Sequence, residues 1–425
     1  MMQQHSISRR DCLKTLSASV WAGVAANSAL GMAEDRKPAE PIPPKKVAAV
    51  ITAYAKGLHA DVVLGKILEG WKQDKGPGPA LQLVSMYVDQ FPEGDLARPM
   101  AAKYNVPIFD TIEQAVTVGG DEIPVDGVIS IGEHGEYPWN AKEQHLYPRR
   151  RFFEEITDTF KKYKKVVPVF NDKHLGPVWA DAIAMYERAQ EMRVPFMAGS
   201  SLPLSFREPD ISVPMNCEIE SIVAIGYSGL DIYGAHALEC FQAFAERRRG
   251  AESGVQWVQC LEGDAVWKAI DDGVVAKETL DAVLAVTPTR KDIKLRDEKA
   301  AALFLFQYTD GLMGTVLMLP EYSQSISTSI KLKGSKPIAC RYTEPVEPRH
   351  PHFAYLLKGV ERMFHTGKPS YPVERTLLTS GILDRALTSR VQGHRKIMTP
   401  ELAIRYEPVD YPHAPKPKLL SDPRA

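Results

Sequence analysis

Short apolar runs alternate with stretches of helical spacing through the first half of the chain. Six strands are predicted at 47–52, 81–88, 106–109, 125–131, 166–170 and 195–198, with helices at 57–71, 96–104, 111–116, 151–163 and 178–193. This alternation is typical of an α/β fold with a doubly wound parallel sheet. In such a sheet the functional loops follow the carboxyl ends of the strands.

The second half has a different pattern, in which strands follow one another with few helices between them. Asp310-Gly311 is a hairpin signal between two apolar runs, and apolar stripes predict two core helices at 353–364 and 374–391. We therefore expect an α+β domain with a mostly antiparallel, open sheet. Its strands are predicted at 218–225, 255–261, 301–308, 313–319 and 328–333.

The N-terminus has the features of a twin-arginine signal peptide. Arg9 and Arg10 precede a weakly apolar run at 15–30, which is too short and too rich in small residues to be a permanent membrane helix. Small residues at 31–33 suit a signal peptidase. We expect the twin-arginine machinery to export the folded chain to the periplasm, a route that favours a cofactor inserted before export.

The rest of the chain is long enough for two ordinary globular domains. A net charge of −1 and a pI of about 6.8 give no electrostatic case for binding nucleic acid or an anionic membrane. No apolar stretch approaches 18 residues, so we expect no membrane-embedded segment after processing. The predicted division is a signal peptide at 1–33, a proline-rich linker at 34–46, a parallel-sheet domain at 47–200 and an α+β domain at 201–410.

Cysteine spacing predicts neither a metal site nor a defined disulfide. The five cysteines include no CxxC pair, and in an oxidising compartment two of the four that follow the signal could pair. Buried free thiols are the alternative that we favour.

Six segments, taken in order, resemble one known family. They are VAAVITAYAKGLHAD, AAKYNVPIFDTIEQAV, VDGVISI, VPVFNDKHL, GAHALE and GKPSYPVERTLLTSGILDRAL. Together they resemble the glucose–fructose oxidoreductase and inositol dehydrogenase family (Gfo/Idh/MocA), from Val47 to about Arg405. EHGEYP, NDKHL and AGSSLP resemble an exported branch of that family. The resemblance implies a Rossmann-like first domain, an NAD(P) cofactor, a sugar or polyol substrate, and a homo-oligomer formed through the open sheet.

The loop that would bind the dinucleotide departs from the family pattern. A dinucleotide loop uses glycines so that backbone amides can approach the pyrophosphate at a helix N-terminus. Thr52 and Tyr54 replace the first two glycines, and Gly57 keeps the third. Asp89, after the second strand, is the candidate for binding the ribose. These four residues are the predicted cofactor site, and the loss of two glycines leaves open whether it binds NAD(P).

Lys173 and His236 are the catalytic candidates that the resemblance implies. Lys173 aligns with the family lysine that polarises the reacting hydroxyl or carbonyl, and Asp172 precedes it as a candidate substrate ligand. His236 aligns with the family acid/base histidine, a role that suits an imidazole because its pKa is near neutrality. The acid that normally precedes that histidine is Ile232 here, with Asp231 one step away.

A polar loop follows the fourth predicted strand. Glu133 and His134 are predicted as further catalytic groups, and Glu136 as a substrate ligand. Arg149 is a candidate for holding a substrate carboxylate through two hydrogen bonds. A polar loop with capping roles is one alternative. A metal site shared with His174, Asp172 or His236 is another, although the spacing matches no metal motif and no metal is predicted.

Two functions remain open at this stage. The first is a periplasmic NAD(P)-dependent oxidoreductase acting on a sugar or polyol. The second is a carbohydrate-binding protein or a metal-assisted lyase or hydrolase in which the dinucleotide site is degenerate. Both predict that Glu133, His134, Lys173 and His236 converge on one cleft, since the carboxyl ends of parallel strands meet at one edge of a sheet.

Overall fold

The computed structural model describes residues 42–421. The predicted signal peptide lies outside these residues, as does most of the predicted linker. Lys45 and Lys46, which were assigned to the linker, already belong to the first strand. From Ile42 onward the chain forms one compact unit. Within the described residues, no helix is both long enough and apolar enough to cross a membrane.

The first half folds into a parallel six-stranded sheet with the order β3-β2-β1-β4-β5-β6. The middle strands are buried on both faces, which explains why they are continuous apolar runs. β3 has only two residues, fewer than predicted. The elements are β1 Lys45–Ile51, α1 His59–Glu69, β2 Leu81–Val88, α2 Ala97–Tyr104, β3 Ile108–Phe109, α3 Ile112–Thr117, β4 Gly127–Ile131, α4 Arg149–Tyr163, β5 Val169–Asp172, α5 Trp179–Met192 and β6 Phe196–Gly199.

The second half forms a mixed eight-stranded sheet with the order β14-β9-β10-β11-β8-β12-β13-β7. All neighbours are antiparallel except β8 and β11. The predicted hairpin joins β10 to β11, with the Tyr308 amide donating to the Leu312 carbonyl at 2.9 Å. The elements are β7 Phe206–Glu208, β8 Ile219–Gly226, α6 Ile232–Ala245, β9 Val255–Glu262, α7 Asp264–Asp271, α8 Lys277–Val286, β10 Ala302–Tyr308, β11 Met313–Met318, β12 Ser327–Leu332, β13 Ile338–Thr343, α9 His352–Thr366, α10 Glu374–Val391 and β14 Ile397–Met398.

Both faces of the second sheet are covered by helices of the same chain. α6 and α10 pack on one face. On the other face Trp267 of α7 and Leu280 of α8 are buried in one apolar cluster with Val223 and Leu303 of the sheet. The sequence pattern gave no sign of α7 and α8 and therefore predicted an open sheet face that would form a dimer. In the structure these two helices cover that face. The homo-oligomer itself stays a prediction.

Helix α9 follows the second sheet in the chain but packs on the first sheet. Phe353, Val360 and Phe364 of α9 share an apolar cluster with Val63 of α1 and with β1 and β2. A division at residue 200 therefore separates the strands of the two sheets, but α9, from the second half of the chain, packs with the first half. This return of the chain brings the segment 344–353 back to the first sheet.

Candidate functional site

A cavity of about 770 Å³ lies between the two sheets. Three segments, two loops and the start of one helix, bring Glu133, His134, Lys173 and His236 to its wall, so the expected convergence is observed. Glu133 and His134 follow β4, Lys173 follows β5, and both strands open at the same edge of the parallel sheet. Their catalytic roles remain predictions.

A buried ion cluster forms one wall of this cavity. The Glu133 carboxylate is 1% exposed and contacts two cations, the Arg149 guanidinium and Lys173 Nζ, the latter at 2.9 Å. Burial alone would raise the pKa of Glu133, but Lys173 and Arg149 outweigh it and hold that pKa well below its usual value. Arg149 is completely buried and does not line the cavity. It therefore forms an ion pair with Glu133 and is not placed to bind a substrate carboxylate.

Three non-glycine residues that line the cavity adopt left-handed backbone conformations, namely His350, with a φ angle of 51°, and two residues at the carboxyl edge of the parallel sheet. The φ angles are 71° for His134 and 63° for Lys173. Lys173 is held there by a pair of backbone hydrogen bonds with Gly199 at the end of β6, of 3.2 and 3.1 Å. Such conformations cost free energy and cluster at functional sites. They direct both residues out of the strand direction at the carboxyl edge of the sheet.

His236 is paired with a serine and not with an acid. Its Nδ1 lies 2.6 Å from Ser200 Oγ, and that oxygen also accepts the Leu202 amide at 3.0 Å. In the tautomer in which Nδ1–H donates to this oxygen, Nε2 keeps a free lone pair that can accept a proton. Burial lowers the pKa of His236 well below its usual value, and nearby Lys173 adds to this effect, so the imidazole is neutral at neutral pH. Asp231 accepts the His145 amide instead, at 3.1 Å.

Asp172 contacts a histidine that no sequence motif marked. His59 Nδ1 lies 2.6 Å from Asp172 Oδ2, and His59 lines the cavity whereas Asp172 does not. The His59 ring also lies edge-on to that of His134, with centroids 5.1 Å apart. Burial lowers the pKa of His134 to about 4, and His59 contributes to that shift. The available signal was a histidine two residues after Gly57 at the start of α1.

The far wall comes from the second half of the chain, where His236 was the only predicted site residue. Tyr227 donates to Glu344 Oε1 at 3.0 Å, and both residues line the cavity. Burial raises the pKa of Glu344 above its usual value, although Tyr227 and Lys173 oppose this. His352 lines the same wall, and burial lowers its pKa to about 3. No motif marked these residues, because they meet only when the second sheet packs against the first.

The loop after β1 does not fit a dinucleotide pyrophosphate. The Gly57 amide, which would face the phosphates, donates to Asp61 Oδ2 at 2.9 Å. Asp61 is 4% exposed in the first turn of α1, so the protein's own carboxylate holds the place of an anion. Tyr54 is fully buried in the apolar cluster of the first sheet, and Thr52 Oγ1 donates to the Glu133 carbonyl at 2.5 Å. Of the four predicted cofactor ligands only Gly57 lines the cavity.

The place of the adenosine ribose is also closed. Asp89 accepts hydrogen bonds at both carboxylate oxygens, from Tyr87 and Arg151 at Oδ1 and from Tyr137 at Oδ2, each of 2.6 Å. Tyr137 follows β4, Asp89 follows β2, and β1 lies between these strands, so the loop after β4 crosses the carboxyl end of β1. Glu136, a predicted substrate ligand, is exposed on this crossing and donates its amide to the Gln90 side chain at 2.8 Å. The crossing spans the crevice in which this fold holds a dinucleotide.

The part of the chain that the structure describes contains no set of ligands for metal-assisted chemistry. No group of three or more His, Cys, Asp or Glu residues there has a geometry that could hold a metal ion. The four cysteines of the described residues are buried and free.

The fold is similar to those of several solved dehydrogenases. The chain is similar to GenD2 from gentamicin A biosynthesis in complex with NAD, with a TM-score of 0.55, 11% identity, and coverage of 84% of this chain and 97% of that one. It is similar to a myo-inositol dehydrogenase from Corynebacterium glutamicum (0.51, 12%, 84% and 98%) and to one from Lactobacillus casei in complex with NAD(H) and myo-inositol (0.51, 10%, 84% and 96%). No protein-family model and no curated protein matches the chain. At these identities the likeness shows the fold alone.

Proposed function

We propose that this protein binds a sugar or polyol in the cavity between its sheets and acts on it by acid–base chemistry without a nicotinamide dinucleotide. The observation that carries the proposal is a contrast. The cavity keeps Lys173 and His236, whereas Asp61 and the Tyr137–Asp89 bridge fill the dinucleotide crevice. The substrate class is supported by the fold, since one solved structure of similar fold holds myo-inositol.

The cavity offers a base and an acid whose environments shift their pKa values in opposite directions. His236 is neutral because burial lowers its pKa, so it can take a proton from a substrate hydroxyl or carbon. Glu344 holds its proton to higher pH because burial raises its pKa, so it can return one. The Lys173 ammonium, fixed by Glu133, can stabilise negative charge that develops on a substrate oxygen. These roles fit a lyase or hydrolase type of reaction.

An NAD(P)-dependent sugar or polyol dehydrogenase is the second candidate. It is favoured by the fold and by the presence of both Lys173 and His236 on the cavity wall. It requires that Asp61 and the loop after β4 move away from the positions described above.

Two measurements separate these candidates. The protein, purified through its own export route, is denatured and the released small molecules are examined by absorbance and mass spectrometry. NADH and NADPH are then titrated against the native protein by fluorescence. We expect no released dinucleotide and no binding. Stoichiometric NAD(P) in the first measurement would overturn the proposal in favour of the dehydrogenase.

Ligand binding is tested by calorimetry with myo-inositol and glucose as probes. His236→Ala should weaken binding by about tenfold or more, since it removes a polar group from the cavity wall. His394→Ala, a partly exposed histidine away from the cavity, is the matched control and should bind as the wild type does. Equal binding by both variants would show that the cavity is not the ligand site.

We further propose that the protein acts in the periplasm. This rests on the paired arginines and the apolar run of residues 1–33, which lie outside the described residues.

A further inference from the structure

A second, smaller cavity of about 220 Å³ adjoins the main one. Ile232 and Tyr233, at the start of α6, line both cavities. Its other walls come from residues 139–143 of the loop after β4, from residues 228–231 and from the end of α10. At this size it is below the range of about 300–1,000 Å³ that drug-sized ligands occupy, and it suits a single ring.

An exposed tryptophan forms one side of this smaller cavity. Trp139 is 57% exposed, and its indole stacks on the His145 ring with centroids 4.2 Å apart and planes 19° apart. His145 in turn lies against Tyr147 at 4.0 Å, and its Nε2 bonds to the Tyr137 carbonyl at 3.0 Å. The ring is therefore held from behind while its outer face is open. A rigid, open aromatic face is what the apolar C–H face of a sugar ring packs against.

A buried carboxylate oxygen provides an independent sign of a ligand. Asp231 lines this cavity and is 5% exposed. Its Oδ2 accepts the His145 amide, whereas Oδ1 has no hydrogen-bond partner among the described residues. Buried polar atoms nearly always have a partner, and burial raises the pKa of Asp231 to about 6. A hydroxyl donor from a ligand would satisfy this oxygen.

The charges around the smaller cavity favour a neutral ligand. Lys142 is paired with Asp384, and Arg390 is bound to Glu143 at 2.6 Å and to Glu262 at 2.8 Å. Both cations of the wall are therefore already neutralised. A phosphate or a uronate would find no unpaired cation here, whereas a hydroxyl-rich neutral ring needs none.

We infer that the smaller cavity is a subsite for a second pyranose ring, so that the ligand is a neutral glycoside extending from the main cavity onto Trp139. This inference rests on the proposed function, because the first ring is the sugar of the main cavity. The second ring would lie on the indole and donate a hydroxyl hydrogen to Asp231.

The test compares a monosaccharide with a disaccharide on the full exported chain. Glucose and cellobiose are titrated by calorimetry, with maltose and lactose as further neutral disaccharides. We expect at least one disaccharide to bind about tenfold tighter than glucose. Trp139→Ala should abolish this difference and Trp139→Phe should restore part of it, while Asp231→Asn should reduce it through loss of the acceptor charge. Met398→Ala, a 62% exposed apolar side chain on β14, is the control for surface truncation.

The outcomes separate the two proposals. If the wild type binds no sugar at all, the proposed function fails and the subsite falls with it. If the wild type binds glucose and every disaccharide equally, or if Trp139→Ala keeps the preference, the subsite alone is refuted. Since Trp139 is exposed, its truncation should leave the fold intact, which circular dichroism checks.

Discussion

Replacing Glu133 with Gln tests whether the buried ion cluster holds the cavity wall together. The change keeps the size of the side chain but removes its charge, so Arg149 and Lys173 are left as two buried cations, 0% and 4% exposed, around a neutral amide. Removing one partner from a buried ion pair costs about 3–5 kcal/mol, because the remaining charge is desolvated and uncompensated. We expect a loss of that size in the free energy of unfolding.

Urea unfolding followed by tryptophan fluorescence measures this loss. With an m-value of about 3 kcal/mol/M, the midpoint should fall by about 1–2 M at pH 7. Glu136→Gln, three residues along the same loop and exposed, is the matched control and should change the free energy by less than about 0.5 kcal/mol.

The pH dependence supplies a second readout with a defined sign. The pKa of Glu133 is lower in the folded protein than its ordinary value of 4.5, so the unfolded chain takes up the proton first as pH falls. Its contribution is therefore complete above pH 4.5 and is lost as pH falls through the folded pKa. The deficit of Glu133→Gln should shrink below pH 4.5. A deficit under about 1 kcal/mol at pH 7, or one that grows on acidification, would refute the reasoning.

Three further predictions concern the loop after β4 and the N-terminus. Tyr137→Phe removes a hydrogen bond to Asp89, so it should cost about 1 kcal/mol and speed limited proteolysis of that loop; an unchanged cleavage rate would contradict the bridging role. Burial lowers the pKa of His134 to about 4, so the unfolded chain takes up this proton first as pH falls. The free energy of unfolding of the wild type should therefore decrease from about pH 6.5 towards pH 4, by at most about 1.4 kcal/mol per pH unit for this group. Denaturant unfolding at a series of pH values should show a smaller decrease for His134→Asn. Replacing Arg9 and Arg10 with Lys should leave precursor in the cytoplasm on fractionation, and normal export of that variant would disprove the twin-arginine route.

Much of the fold was predictable because parallel strands buried on both faces must be uninterrupted apolar runs. β1, β2 and β4 were predicted within two residues of their observed ends. Three strands towards the ends of the second sheet were not predicted. β13, which lies between β12 and the edge strand β7, has a mixed polar and apolar sequence, Ile-Ala-Cys-Arg-Tyr-Thr, because it is only partly buried. β7 and β14 have three and two residues, which is too short for any pattern.

The candidate site divides along the same line. The sequence by itself determined that Glu133, His134 and Lys173 meet, since topology alone brings the ends of β4 and β5 to one edge. It could not determine what each polar group binds. In the sequence, Asp89 and Arg149 look like ligands for a cofactor or substrate. In the structure Asp89 accepts hydrogen bonds from Tyr137 and Arg151, and Arg149 forms an ion pair with Glu133.

Only the tertiary structure decided the pairings of Asp172 with His59 and of Ser200 with His236, and the approach of Glu344 to the cavity. His59 and Asp172 are 113 positions apart in the chain. The partner of a side chain depends on which helices and sheets pack together and on how they are positioned along one another. Local periodicity reports burial and direction within one element, and it contains no information on the distance between two elements.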